Sequence, residues 1–184
     1  MRTLASFIVT TLDGFYEGSN GEFDWPVVDE EFNAFSVDQL DRADALVFGR
    51  VTYEGMARYW TSEDAAIDNA AVAHRMNTMP KFVVSATLQS VSWNRTTLVI
   101  GSLVEGMSDL KAQPGHELLV LGSPGLTASL GQAGMLDELR IMVNPVVLGQ
   151  GKSLFRSMSD RMRFQLLSVR QFASGNVLLT YQPS

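Results

Sequence analysis

The chain has 184 residues, 46% of them hydrophobic and 18% charged, a balance that suits one folded core and predicts a single domain over 1–184. Its net charge of −6 argues against a general nucleic-acid surface, though not against a local basic pocket for a phosphorylated ligand. With no cysteine and only His74 and His116, disulfides and thiolate chemistry are excluded and no metal site is expected; without a basic leader or a long apolar stretch, the expectation is a cytoplasmic protein that does not engage a membrane.

Residues 3–12, TLASFIVTTL, read as a buried strand that Asp13-Gly14 ends with turn chemistry. The polar, Gly-rich stretch 17–26 reads as a mobile loop. Helical spacing of Phe32, Phe35, Val37 and Leu40 begins near Asp29. A strand at 44–48 leads to a short helix over 52–59 with Thr52 as N-cap, and a further helix covers 63–78. Strands follow at 81–85 and 97–100. Ser102 and Glu105 form an S-x-x-E capping box for a helix over 103–112. A strand at 117–121 precedes Ser123 as N-cap, Pro124 at the first helical position, and Gly134 as the helix stop. Residues 136–147, 163–172 and 176–182 are strand-like, with Ser174-Gly175-Asn176 as a hairpin connection. Alternating β and α units running into a β-rich tail predict an α/β fold. The central sheet is mostly parallel, with an antiparallel C-terminal edge and helices on both faces.

Three turns in this pattern suit phosphate: ALVFGRVTYE at 45–54, FVVSATL at 82–88 and LLVLGSPGL at 118–126. Each ends an apolar strand in small or hydroxyl residues, and the first and third open helices. A helix start leaves backbone N–H groups free and carries partial positive charge. In the first turn Gly49 allows close backbone approach, Arg50 offers a guanidinium fork and Thr52 a hydroxyl. Ser85 and Thr87 supply hydroxyls in the second. In the third, Gly122 and Gly125 bracket Ser123 and Pro124, a pyrophosphate-type cradle without the full G-x-G-x-x-G fingerprint. Each alone also suits a plain strand-to-helix turn; three on one sheet could hold a dinucleotide.

Carboxylates surround the 15–26 loop: Asp13, Asp29, Glu30 and Glu31. A buried one with a raised pKa could protonate a substrate nitrogen, while acids at 29–31 also favour a helix N-terminus electrostatically. Trp25 is placed to cover a substrate or to anchor its loop. Gly149-Gln150-Gly151-Lys152-Ser153 reads as a phosphate-binding turn centred on Lys152, or as a β-bulge.

Together TLDGFYEG at 11–18, DALVFGRVTYEGM at 44–56, KFVVSATL at 81–88, LLVLGSPGL at 118–126 and LDELRIMVNPVVLGQGKSLF at 136–155 resemble the dihydrofolate reductase-like superfamily. The similarity runs over roughly 3–182 and is closest to the reductase domain of riboflavin biosynthesis. The resemblance implies a three-layer αβα sandwich, NADPH as cofactor, and commonly a homodimer. By position it implies that Gly49, Arg50 and Thr52 meet the pyrophosphate and the 2′-phosphate side of the adenosine. Ser85 would lie near the 2′-phosphate; Gly122, Ser123, Gly125 and Leu126 would cradle the pyrophosphate. Val9 and the 14–18 loop would flank the nicotinamide. The carboxylate of folate enzymes falls on Glu30 counting forward from Trp25 and on Asn33 counting back from Gly49. The riboflavin branch instead points to Asp13. The implied activity is hydride transfer from NADPH to a small pterin- or aminopyrimidine-like substrate, similar to 5-amino-6-(5-phosphoribosylamino)uracil reductase. The alternatives are a true dihydrofolate reductase or a non-catalytic nucleotide-binding module.

Overall fold

The computed structural model describes residues 1–156 and 158–184. Its strands are β1 (Thr3–Thr11), β2 (Phe15–Glu17), β3 (Ala45–Gly49), β4 (Lys81–Val84), β5 (Thr96–Val99), β6 (Glu117–Leu121), β7 (Glu138–Asn144), β8 (Lys152–Ser153), β9 (Phe164–Gln171) and β10 (Val177–Pro183). Its helices are α1 (Glu30–Arg42), α2 (Arg50–Trp60), α3 (Glu63–Asp68), α4 (Ala70–Thr78), α5 (Leu103–Ala112) and α6 (Pro124–Gln132). Eight strands make one sheet in the order β5-β4-β3-β6-β1-β7-β10-β9. Pairing is parallel from β5 to β7 and antiparallel from β7 through β10 to β9. This is the expected mixed sheet.

The central strands are apolar on both sides because helices cover both sides. Ala5, Phe7, Leu46, Phe48, Leu119 and Met142 pack with Phe35 and Leu40 of α1, Tyr53 of α2, and Val72 and Met76 of α4. The alternate residues Leu4, Ala45, Val47, Leu118 and Val120 pack with Met107 and Leu110 of α5 and Leu130 of α6. The side-chain period of two thus sends neighbouring residues into two separate cores. The β9 edge differs: Leu166, Leu167 and Val169 remain exposed.

The structure corrects three sequence expectations. The helix over 63–78 is two helices, because the Asn69 side chain accepts from the Val72 N–H and so starts α4 where α3 ends. Helix α2 begins at Arg50 with Gly49 as its N-cap, which places Thr52 inside the first turn. The turn at 149–153 contributes a short strand, since β8 pairs antiparallel with β2 as a small second sheet, whereas the expected loop 17–26 holds beyond Glu17, the last residue of β2.

Lys81 opens β4 fully buried. Its ammonium donates to the carbonyls of Met76 (2.8 Å) and Met79 (2.7 Å) at the end of α4 and lies 4.6 Å from the Trp93 ring centre. Carbonyls at a helix C-terminus favour a cation. Burial, and secondarily the Arg95 charge, still pushes its pKa down to about 8. No helix among the described residues is long and apolar enough to cross a membrane.

Candidate functional site

Parallel pairing brings the carboxyl ends of β4, β3, β6, β1 and β7 to one edge of the sheet. Ligands of open α/β sheets bind outside this edge. The three phosphate-type turns follow β3, β4 and β6, and the Asp13 and Lys152 loops follow β1 and β7.

Helix capping separates two of these turns from every other helix start described. Side chains cap α1 (Asp29), α3 (Ser62), α4 (Asn69) and α5 (Ser102). Helices α2 and α6 have no side-chain cap and no acid in their first turns. Their N–H groups and partial positive charges are therefore left for another acceptor. The two starts are joined directly: the Gly49 N–H donates to Ser123 Oγ at 3.0 Å. Ser123 is buried in the left-handed region at φ 52, so its hydroxyl ties the two turns together instead of capping α6 as expected. Gly122 precedes it at φ 64, and its N–H donates to the Phe7 carbonyl at 2.9 Å. A Cβ on Gly122 would stand 3.2 Å from the Thr52 methyl, a tight contact that adds to the positive φ in favouring glycine there. A Cβ on Gly125 would meet nothing within 4 Å. Leu126 packs under the turn against the α5–α6 core.

Around this pair, Arg50 is exposed and its guanidinium meets the Glu54 carboxylate at 3.1 and 3.3 Å. Ser85 Oγ accepts from the N–H groups of Thr87 (3.1 Å) and Leu88 (3.0 Å), which closes the turn after β4. Val9 is half-buried near the end of β1, opposite Met142 of β7.

The loops after β1 and β7 are fastened by charge. The Asp13 carboxylate accepts from Thr11 Oγ1 (2.6 Å) and from the N–H groups of Gly149 (2.8 Å) and Leu148 (3.3 Å). The Thr11 bond and then the two backbone donors hold its pKa below the ordinary carboxylate value. Further along, the Lys152 ammonium pairs with the Glu17 carboxylate across β2 and β8, which raises the Lys152 pKa. A Cβ on Gly151 would collide with the Glu17 carbonyl, so this pairing also requires glycine. Beside the pair lies an open cavity of about 360 Å³ lined by Tyr16, Pro124, Gly125, Lys152, Ser153, Leu154 and Arg156.

No buried proton donor emerges from the expected carboxylates. Asp13 is exposed and its pKa is lowered, the reverse of the expected raised value, because its partners bind the ionised form. Glu30 is exposed at the first position of α1. Glu31 instead grips the β9–β10 hairpin, accepting from the Ala173 N–H (2.9 Å) and from Arg170 (3.2 Å). Trp25 packs edge-on against Phe23 at 5.5 Å, and its indole N–H is buried without a partner among the described residues.

Sequence reasoning missed Tyr16 and Arg156, which line the cavity, and two buried asparagines. The Val27 N–H donates to Asn144 Oδ1 (2.7 Å), and Asn176 Nδ2 donates to the Val27 carbonyl (2.9 Å). They dock the segment between Trp25 and Glu30 onto the ends of β7 and β10. A polar residue closing the apolar run ELRIMVN was the available signal for Asn144; Tyr16 and Arg156 gave none.

Comparison with known proteins places this geometry. The RibD C-terminal domain family matches residues 2–178. The uncharacterized protein YyaP of Bacillus subtilis is 29% identical over 174 residues, covering 95% of this chain and 91% of its own. A crystal structure from Shewanella sp. PV-4, provisionally named a riboflavin biosynthesis protein, superposes with a TM-score of 0.78 at 26% identity, covering 99% of both chains. Dihydrofolate reductase from Enterococcus faecalis, complexed with NADP(H) and RAB-propyl, shares the fold with a TM-score of 0.65 at 15% identity, covering 99% of this chain and 96% of its own. With its mostly parallel dihydrofolate reductase-like sheet and a family match over nearly its whole length, the chain belongs to the RibD C-terminal domain family.

Proposed function

We propose that the protein is an NADPH-dependent reductase that passes a hydride to a small nitrogen-containing, pterin- or aminopyrimidine-like substrate, similar to 5-amino-6-(5-phosphoribosylamino)uracil reductase. The observation that carries this reading is the pair of adjacent, uncapped, acid-free helix starts joined by the Gly49–Ser123 hydrogen bond. Two such starts suit the two phosphates of a dinucleotide, and the bare Gly125 leaves room for close approach. When bound, the cofactor supplies the hydride, and the protein contributes position and electrostatics.

In this reading the N–H groups of α2 and α6 take the pyrophosphate. Arg50 exchanges Glu54 for the 2′-phosphate, and the Ser85 hydroxyl stands at the neighbouring turn. Val9 and the 14–18 loop form the wall on the nicotinamide side, with Trp25 and Lys152 toward the substrate. Asp13 stays ionised at neutral pH and holds the 148–149 backbone, so it organises the loop rather than donating a proton. Glu30 is open to solvent, and the proton that accompanies the hydride comes from water on that side. The exposed apolar side chains of β9 support a homodimer, and a cytoplasmic setting accords with a nicotinamide reductase.

One observation favours a second reading, a nucleotide-binding module without turnover: neither Asp13 nor Glu30 is a buried acid. The experiment that decides is NADPH oxidation by the purified chain against a panel of pterins and ribosylaminopyrimidines. Turnover that the Arg50→Ala variant loses through a raised KM for NADPH is expected. Tight NADPH binding with no oxidation by any panel member would establish the module instead.

A further inference from the structure

The carboxyl ends of β1 and β7 and the start of β10 carry a row of polar side chains in a largely apolar sheet. Thr11 of β1 stands opposite Asn144 of β7. The antiparallel register that pairs Val177 with Val143 brings Asn176 opposite Asn144 on the other side. All three are buried, at 1%, 0% and 0% exposure. Polar groups so placed are costly unless their hydrogen bonds are made. These three make theirs to loops. Thr11 Oγ1 donates to Asp13 and accepts from the Phe15 N–H at 3.0 Å, which holds the turn after β1. Asn144 and Asn176 converge on Val27: the first accepts from its N–H at 2.7 Å, the second donates to its carbonyl at 2.9 Å. Asn176 Oδ1 is left without a partner among the described residues. An unpaired buried acceptor lowers stability, so the Val27 carbonyl is what explains an asparagine there.

Val27 is the pin of a long segment. The Gly18 N–H donates to the Glu22 carbonyl at 2.9 Å, Asn20 donates to the Glu22 carboxylate, and Trp25 packs on Phe23, so these contacts stay within the segment. Among the described residues, the two bonds on Val27 are the only hydrogen bonds from residues 18–28 to the rest of the chain. Trp25 lies next but one to that pin, with only Pro26 between them.

We propose that Asn144 and Asn176 are positioning residues that act on the second ligand through Trp25, by holding Val27 so that the indole stays on the substrate side of the sheet edge. An acceptor and a donor on adjacent strands engage both backbone groups of one residue, as a neighbouring strand would, so its place and its orientation are set together. The role rests on the reductase reading, in which Trp25 faces the substrate. Misplacement of a group that orients a ligand is costly to turnover even when the fold is intact.

The test is NADPH oxidation by the full chain with the best substrate of the panel, together with amide exchange at Val27 and denaturant midpoints. Asn144→Leu and Asn176→Leu should each raise KM for the substrate about tenfold and speed Val27 exchange, while KM for NADPH stays unchanged. Asn144→Asp keeps an acceptor for the Val27 N–H and should stay near wild type; Asn176→Asp loses the donor and should behave as Asn176→Leu. In a Trp25→Leu background, Asn144→Leu should add no further rise. Should the buried substitutions unfold the chain, Val27→Pro removes the same N–H from outside the sheet and should give the same rise in substrate KM. A wild-type substrate KM in the leucine variants, a parallel rise in both KM values, or an undiminished effect of Asn144→Leu without Trp25 would each overturn the proposal while leaving the reductase reading in place. No oxidation by wild type with any substrate of the panel would overturn both.

Discussion

The turn pair at the ends of β3 and β6 and the loop pair at the ends of β1 and β7 lie side by side on one sheet edge, yet they are fastened by different physics. The first is tied by the neutral Gly49–Ser123 hydrogen bond, with Ser123 buried and left-handed and the Thr52 methyl against Gly122. The second is tied by ionic contacts: exposed Asp13 on two backbone N–H groups, and half-exposed Lys152 on Glu17. A buried neutral tie is insensitive to salt and costs free energy to break; an exposed ionic tie is screened and exchangeable. The difference suits a preformed cradle for a constant cofactor beside a latch that a charged ligand can reset.

The substitution expected to damage the cradle most is Gly122→Val. It places a β-branched residue at positive φ against Thr52, and a loss of about 2–3 kcal/mol in urea denaturation is expected, with NADPH binding abolished. Ser123→Ala leaves the Gly49 N–H without its acceptor and should cost about 1–2 kcal/mol. Ser123→Gly loses the same bond but relieves the left-handed conformation, so it should be the milder of the two. If the two are equal, backbone strain at Ser123 contributes nothing.

On the buried side, Lys81 gives a pH signature. Its pKa is about 8 in the folded chain against an ordinary 10.5. Between these values the unfolded chain keeps the proton that the folded chain has lost, so Lys81 makes stability rise with pH across that window. The difference between wild type and Lys81→Met, followed by denaturant midpoint, should show that rise; a flat difference would contradict the depressed pKa.

On the ionic side, Lys152→Met should change the denaturant midpoint only slightly, and that small difference should shrink further in high salt. The smallest expected effect is that of Asp13→Asn. Because the folded pKa is depressed, the contribution of Asp13 is full above the ordinary carboxylate value and is lost as pH falls through the folded one. The substitution should remove that acid-limb sensitivity and speed amide exchange at Leu148 and Gly149.

The strands and helix starts of the cradle half were legible in the sequence because their signals are local. Apolar runs ending in FGR, VSA and LGSPG fix a strand, a stop and a helix start within a few residues of one another. What each side chain does there was less legible. Ser123 carries every mark of an N-cap, but the preceding Gly122 turns the chain so that its hydroxyl reaches Gly49, 74 residues away. The latch half was poorly legible throughout. Glu17 meets Lys152 across 135 residues, and Asp13 meets Gly149 across 136. No periodicity reports such pairings, and Asp13 read in isolation as an acid rather than as a loop tie. The exposed β9 edge likewise reads as an ordinary apolar strand, since its sequence does not say which face lacks a helix.

The most direct measurement is fluorescence titration of the wild-type chain and of Arg50→Ala with NADPH and with NADH. A cradle that receives a dinucleotide with its 2′-phosphate on Arg50 gives saturable NADPH binding, at least about tenfold tighter than NADH, and loses that preference in Arg50→Ala. Binding of neither cofactor, or equal affinities before and after the substitution, would contradict it.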